Sequence, residues 1–161
     1  SFIYFIHKMK GLEWAVSTWH LIHYLAENMK DEFYINEKTE ILKIIKNICY
    51  NLPCPTCSEH AKRYLKKVDE KLINTRIKFR NFFFNFHNLV NRQLGKSTFD
   101  FNKLDMYKKY NLGIVIKNFK LFYGKSYGDN LKLNLESSQL TRNNIVNTTV
   151  KWIVKNREHI E

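Results

Sequence analysis

Residues that break helices are scarce in this chain, and their scarcity is the strongest constraint on its fold. The 161 residues contain only two prolines, Pro53 and Pro55, and five glycines. Proline interrupts a helix because it has no backbone N–H and its ring clashes with the preceding turn. Apolar residues also recur at three- and four-residue intervals, as they do on the buried face of a helix. We therefore predict an all-α protein with a break at the two prolines.

The periodicity predicts a four-helix bundle with short connections and a short fifth helix. The first, second and fourth helices are expected at about 12–28, 36–51 and 76–94, and the fifth at about 102–110. The third begins at Cys54 or Pro55, because proline is tolerated in a first helical turn. Gly95 is expected to end the fourth helix.

The chain changes character after Tyr110, so we divide it into a domain at 12–110 and an extension of unknown role at 111–161. The stretch LGIVIKNFKLFYG has a pattern that fits either a strand or a helix. Residues 126–144 are polar and are predicted to form a loop, and 145–156 a last helix.

The formal net charge of +12 indicates a surface that attracts acidic proteins, membranes or nucleic acid. No RNA-binding, helix-turn-helix or zinc-finger pattern occurs, so nucleic acid is not an expected partner. No apolar run approaches the ~18–20 residues of a membrane span, and we expect no membrane association. The first residues, SFIYFIHKMKG, do not resemble a signal peptide. Met9 is a candidate start of the natural protein, which the mass of the N-terminal peptide would test.

Two of the three cysteines form the motif C-P-T-C, Cys54 to Cys57. A chain with one cysteine pair and one further cysteine, Cys49, is typical of proteins from a reducing compartment. A disulfide that persists in such a compartment is usually catalytic. A cysteine at a helix N-terminus lies at the positive end of the helix dipole, which favours the nucleophilic thiolate. The pair can therefore exchange its disulfide with an incoming dithiol.

Two other interpretations of the cysteines remain open at this point. Cys49, Cys54, Cys57 and His60 would supply four zinc ligands, which would make the chain a non-enzymatic helical zinc-binding or interaction module. Alternatively, the cysteines pack inertly in the core. A thioredoxin fold would require strands around C-x-x-C, whereas the flanks here have helical patterns. We favour the redox interpretation, with no metal.

Polar residues also interrupt the apolar pattern of the fourth helix. His87, Asn88 and Asn91 lie within two turns of each other, and Trp19 and His23 are four apart in the first helix. Buried amides and imidazoles need partners, and a cluster of them opposite a tryptophan indicates a flat polar ligand such as a flavin. No G-x-G-x-x-G motif is present, which excludes a Rossmann flavin site.

Three motifs in this order resemble the Erv/ALR family of FAD-dependent sulfhydryl oxidases. They are W-x-x-x-H (Trp19 to His23), C-x-x-C, and H-N-x-V-N followed by L-G-K (His87 to Lys96). The likeness is strongest to the small members encoded by large DNA viruses, and it covers about 12–110.

The resemblance implies a thiol oxidase that forms disulfides in partner proteins. Electrons would pass through Cys54 and Cys57 to FAD and then to O₂, giving H₂O₂. It implies that substrate attacks Cys54 and that Cys57 lies nearer the flavin. The implied FAD contacts are Trp19, His23, His87, Asn88, Val90, Asn91 and Lys96, and the implied assembly is a homodimer packed through the first helices.

The chain departs from the family pattern in two places. Ala15 and Val16 stand where relatives often have a Gly-Arg pair, and no second cysteine pair is present to act as a shuttle. The chain is therefore expected to oxidise a partner directly, such as a thioredoxin-like or C-x-x-C protein. In a virus, the expected locations of this reaction are the host cytoplasm and the virion. Tyr107 or Tyr110 is the expected aromatic cover of the flavin.

Overall fold

The computed structural model describes residues 2–127 and 139–161, and it describes side chains from Glu13 onward. Six α-helices account for most of this part of the chain: α1 Phe2–Asn28, α2 Asp31–Tyr50, α3 Pro55–Leu65, α4 Arg76–Gln93, α5 Leu112–Tyr123 and α6 Gln139–Lys155. Short 3-10 segments lie at Glu70–Leu72, Phe101–Lys109 and Arg157–His159. No strand occurs within the described residues, and the predicted all-α class is confirmed.

Several predicted boundaries move. α1 begins at Phe2 and α2 at Asp31, both earlier than expected, and the predicted fifth helix is a 3-10 segment. The ambiguous stretch after Tyr110 is the helix α5. The loop prediction is wrong for 139–144, which are helical, and the rest of that prediction falls partly on 128–138, outside the described residues.

Local capping interactions explain where the helices begin and end. The Thr75 hydroxyl accepts a hydrogen bond from the Lys78 N–H at the start of α4. At its end, Gly95 has φ +65°, as predicted for a terminating glycine. The N–H groups of Gly95 and Lys96 donate to the carbonyls of Arg92 and Asn91, which completes a Schellman motif. Lys96 is thereby held close to the last turn of α4.

The core forms where α1, α2 and α4 meet. Leu25 of α1, Ile45 of α2 and Phe79 and Phe83 of α4 are each at most 1% exposed. Fully burying one such side chain contributes about 1.5–3 kcal/mol. At one end of α1, the buried Glu27 pairs with Arg80 of α4, which connects the two helices that carry the tryptophan and histidine motifs.

The C-terminal helices share this core. α5 packs along α1, and α6 packs against α5 and α2. Phe119, Tyr123, Ile153 and Ile160 are each at most 1% exposed. The two segments on either side of Tyr110 therefore pack as one unit. That the segment 12–110 alone carries the chemistry stays a prediction.

None of the helices in 2–127 and 139–161 has both the length and the apolar character needed to cross a membrane.

Candidate redox and cofactor site

The two motif cysteines are joined by a disulfide at the N-terminus of α3. Cys54 is the N-cap residue of this helix, and its Sγ accepts a hydrogen bond from the Cys57 N–H at 3.2 Å. The two Cα atoms are 5.2 Å apart. Pro55 occupies the first helical position, where its missing N–H costs nothing. The helix start therefore presents the pair as a small, half-buried ring that an incoming thiol can reach.

Ser58 fixes the turn before the disulfide, a role that its sequence position alone did not reveal. Its buried Oγ accepts from the Leu52 N–H at 2.8 Å and lies 3.3 Å from the carbonyl oxygens of Leu52 and Cys54. The available signal was its position on the inner face of α3, three and seven residues before Ala61 and Leu65. A small polar residue there needs a partner, and the nearby turn provides one.

The disulfide opens onto a cavity of about 1000 Å³ between α1, α3 and α4. This volume lies at the upper end of the range of roughly 300–1,000 Å³ that is usual for ligand and cofactor sites. Five of the seven predicted cofactor contacts line it together with both redox cysteines: Trp19, His87, Val90, Asn91 and Lys96. Ala15 and Val16 also lie in its wall.

Aromatic stacking connects the first and third motifs. The Trp19 indole lies over the His87 ring with centroids 4.1 Å apart and planes inclined by 7°. His23 lies one turn further along α1, fully buried, and its Nε2 is 2.9 Å from His87 Nδ1. His23 does not line the cavity, so it contacts the site through His87. The second nitrogen of His23, Nδ1, has no partner among the described residues.

Both histidines are held neutral. Burial, followed by the nearby His87 and His20, lowers the pKa of His23 to about 3. Burial, followed by Lys96 and His20, lowers the pKa of His87 to about 4. With both rings neutral, the contact between them is a single N–H···N hydrogen bond, in which one ring donates and the other accepts. The site therefore presents uncharged hydrogen-bonding groups rather than a cationic pair.

Asn88 is placed differently from its neighbour Asn91. Its side-chain amide donates to the Phe99 carbonyl at 3.0 Å, and its Oδ1 accepts from the Phe99 N–H at 2.6 Å. Asn88 is buried and does not line the cavity. It anchors Phe99, whose ring stacks against His23 and His87. Asn88 therefore supports the histidine pair instead of facing the cavity.

The aromatic wall also differs from expectation. Tyr107 is buried against His23 and Tyr110, and neither tyrosine lines the cavity. Among the described residues, the other aromatic side chains in the wall are Trp14, Tyr64, Phe86 and Tyr127. Tyr127 lies beyond the predicted domain, in the extension.

Cys49 lines the same cavity but is a free, buried thiol. Burial raises its pKa to about 12, so it stays protonated and unreactive near neutral pH. Within the described part of the chain, no three histidine, cysteine, aspartate or glutamate side chains are arranged to hold a metal ion. The bonded Cys54 and Cys57 are not available as thiolate ligands in this state.

Comparisons with known proteins agree with this geometry. The sequence model of the Erv1 / Alr family matches residues 16–111. An African swine fever virus protein named FAD-linked sulfhydryl oxidase (isolate Kenya/1950) is 32% identical over 115 residues, which cover 71% of this chain and 92% of the viral protein. A putative FAD-linked sulfhydryl oxidase of invertebrate iridescent virus 3 is 32% identical over 84 residues, or 52% of this chain and 57% of that protein.

A rice protein named FAD-linked sulfhydryl oxidase ERV1 is 31% identical over 83 residues, 52% of this chain and 42% of its own length. The chain thus spans little more than half of the iridescent virus relative and less than half of the plant one. No solved structure matches significantly. The family match covers the disulfide, the histidine pair and most of the cavity wall, and the chain belongs to the Erv1/Alr family.

Proposed function

We propose that this protein is a FAD-dependent thiol oxidase that forms disulfide bonds in partner proteins. The observation that carries the proposal is that the Cys54–Cys57 disulfide lies in the wall of a large cavity built from Trp19, His87 and Asn91. The disulfide provides thiol exchange, and the adjoining cavity holds a group that accepts two electrons. The relatives named FAD-linked sulfhydryl oxidases support the same assignment.

The exchange reaction follows from ordinary thiol chemistry. A substrate thiolate attacks Cys54 Sγ, the Cys54–Cys57 bond breaks, and Cys57 leaves as a thiolate. The second substrate thiol loses its proton and attacks the substrate sulfur of the mixed disulfide. The substrate is released as a disulfide, and Cys54 takes up the leaving electron pair. The positive end of the α3 dipole stabilises thiolate at its N-cap, Cys54.

The residues of the cavity fit FAD. Trp19 offers an apolar stacking face, Asn91 an amide for the polar edges of the cofactor, and Lys96 a cation for its phosphates. His87 is neutral and offers a ring nitrogen without a charge to desolvate. When bound, FAD supplies a two-electron acceptor that O₂ can reoxidise, giving H₂O₂.

The substrate in this proposal is a dithiol protein, such as a thioredoxin-like or C-x-x-C partner, that reacts directly with Cys54. The chain holds no second cysteine pair to relay electrons, and Cys49 is buried. The basic composition, +12 overall, favours encounter with acidic partners.

The proposed assembly is a homodimer, and the proposed location, for a viral protein, is the host cytoplasm or the virion. α5 covers part of α1, so a dimer through the first helices would use the faces that α5 and α6 leave exposed. Sedimentation of the purified protein would establish its mass in solution.

An absorbance spectrum and an oxygen electrode test the central proposal. Purified protein should be yellow with bound flavin, and adding dithiothreitol should cause O₂ uptake and H₂O₂ formation. A colourless protein that contains zinc would support the alternative interaction module. A yellow protein that consumes no O₂ with any dithiol would show that the site binds flavin without being an oxidase.

A further inference from the structure

The turn that follows α5 contributes to the cofactor cavity, although it lies outside the segment 16–111 that matches the family. Lys125 and Tyr127 line the cavity that also contains the redox disulfide. We propose that Lys125 and Tyr127 are cofactor-binding residues supplied by the extension, with Lys125 interacting with the FAD diphosphate and Tyr127 forming an aromatic wall. This inference rests on the proposed function.

Helix α6 fixes the carbonyl groups of this turn. The fully buried Arg142 donates through Nε to the Tyr123 carbonyl and through Nη2 to the Lys125 carbonyl, both at 3.0 Å. The Gln139 amide donates to the Gly124 carbonyl at 3.3 Å. These carbonyls belong to the end of α5, where no intrahelical partner is available. The turn is therefore held in one conformation by side chains of α6.

Gly124 permits the close approach of α6. A Cβ at this position would lie 2.7 Å from Asn143 Oδ1 and 2.8 Å from the Lys120 carbonyl oxygen. The exposed Asn143 side chain can rotate away, but the Lys120 carbonyl belongs to the α5 backbone, so a residue with a Cβ fits only if the end of α5 shifts. Glycine therefore matches the backbone path at the start of the turn.

Tyr123 ties the same turn to the disulfide side of the cavity. Its hydroxyl lies 3.0 Å from the Ile48 carbonyl oxygen and 2.9 Å from the Asn51 carbonyl oxygen, at the end of α2. The chain then continues through Leu52 to Cys54, and both residues line the cavity. The end of α5 and the segment that leads to the redox pair therefore form one connected part of the wall.

The two side chains are disposed to meet a ligand in the cavity. The Tyr127 hydroxyl donates to the Phe122 carbonyl at 2.8 Å, which sets the orientation of its ring. The Lys125 ammonium lies 5.9 Å from the centre of that ring and is exposed, so it can move toward an anion without breaking a buried contact. Neither side chain is needed to fill the core.

The charge of the cavity fits an anionic ligand. Among the described residues, its wall contains the cations Lys96 and Lys125 and no carboxylate. The diphosphate of FAD carries two negative charges, and two lysines in the same wall match that number. Lys125 would add a charge beyond those in the family motifs.

The test measures release of FAD from the purified holoprotein, followed by the rise in flavin fluorescence after dilution. Lys125→Gln should speed release about two- to fivefold at low salt, the scale of an exposed ion pair. Its rate should converge with that of the wild type near 1 M salt, where charges are screened over roughly 3 Å. Tyr127→Ala should speed release roughly tenfold, because an aromatic contact is lost.

Two matched variants serve as controls. Lys120→Gln removes an exposed lysine of α5 that does not line the cavity, and it should leave the release rate unchanged. Tyr127→Phe keeps the ring and should release FAD more slowly than Tyr127→Ala. Circular dichroism of each variant reports whether the fold is retained. If Tyr127→Ala does not fold, the FAD release rate of the Lys125→Gln variant still tests the inference, because Lys125 is exposed.

The outcomes separate this inference from the proposed function. Wild-type release rates in both Lys125→Gln and Tyr127→Ala would overturn the inference while leaving the oxidase proposal intact. Equal acceleration by Lys120→Gln and Lys125→Gln would also overturn it, because the effect would then be one of total charge. A wild-type protein that purifies without flavin would overturn both.

Discussion

His23 and His87 form a neutral pair, with His23 Nε2 2.9 Å from His87 Nδ1. The pair joins α1 to α4 beneath Trp19, and burial is the main reason that the pKa of each ring is low. A group whose folded pKa lies below its unfolded value of about 6.5 binds its proton more readily in the unfolded state. Acid therefore favours unfolding.

The first prediction is that the free energy of unfolding decreases in acid. Stability should be fully present above pH 6.5 and should fall as the pH drops from 6.5 toward 4. For His23 the loss amounts to about 2 kcal/mol at pH 5. Thermal melts from pH 7.5 to 5 would measure it, and His87→Gln should flatten the profile relative to the exposed His60→Gln control. Identical slopes in these two variants would contradict the prediction.

The second prediction distinguishes the three cysteines. Cys54→Ser and Cys57→Ser should both abolish dithiol oxidation, because neither variant can form the exchanged disulfide. In Cys54→Ser, the free Cys57 thiolate should give a broad long-wavelength absorbance beside oxidised flavin, and Cys57→Ser should lack that band. Spectra and O₂ uptake would show the asymmetry.

Cys49→Ala is the matched control for both. It should keep its activity and lose about 1 kcal/mol of stability, the scale of a small cavity in the core. If a folded, yellow Cys49→Ala protein were inactive, Cys49 would take part in exchange, and the single redox pair would have to be abandoned.

The third prediction concerns Ser58. Ser58→Ala should leave the partly buried Leu52 N–H without its partner and should cost about 1 kcal/mol. It should also slow oxidation of dithiothreitol, because the turn that positions Cys54 loses its anchor. Urea unfolding and initial O₂-uptake rates would measure the two effects. Arg63→Ala alters an exposed position of the same helix outside the redox motif and the cavity, and it should change neither.

The fourth prediction concerns the C-terminal helices. A chain that ends at Tyr110 should lose cooperative thermal unfolding. The truncation removes the buried side chains of Phe119, Tyr123, Ile153 and Ile160, and the shared core is then exposed to solvent. Tyr123→Phe is a milder change that removes only the hydroxyl bonded at the end of α2. It should cost about 1 kcal/mol, whereas Leu121→Ala, at an exposed position, should cost little. A truncated chain that still melts cooperatively with bound flavin would contradict this view.

The sequence by itself determined the all-α class, the order of the motifs and the candidate redox pair. Helix period and chain breakers are local properties, so the two prolines and Gly95 were sufficient to predict the break between α2 and α3 and the end of α4. Cys54 and Cys57 were recognisable because a separation of three residues at a helix start brings two thiols within bonding reach. In each case the interacting groups are only a few residues apart in the chain.

Only the tertiary structure decided which polar residues face the cavity. Asn88 and Asn91 are three residues apart on one helix and look equivalent in sequence. In the structure, however, both polar atoms of the Asn88 side chain are hydrogen-bonded to the Phe99 backbone. The position of Phe99 depends on how the chain returns after α4. Likewise, Tyr127 lies in the cavity wall next to a turn whose carbonyls are bonded by Arg142 of the distant helix α6. Such contacts join residues far apart in the chain, and helix periodicity carries no information about which distant helix faces meet.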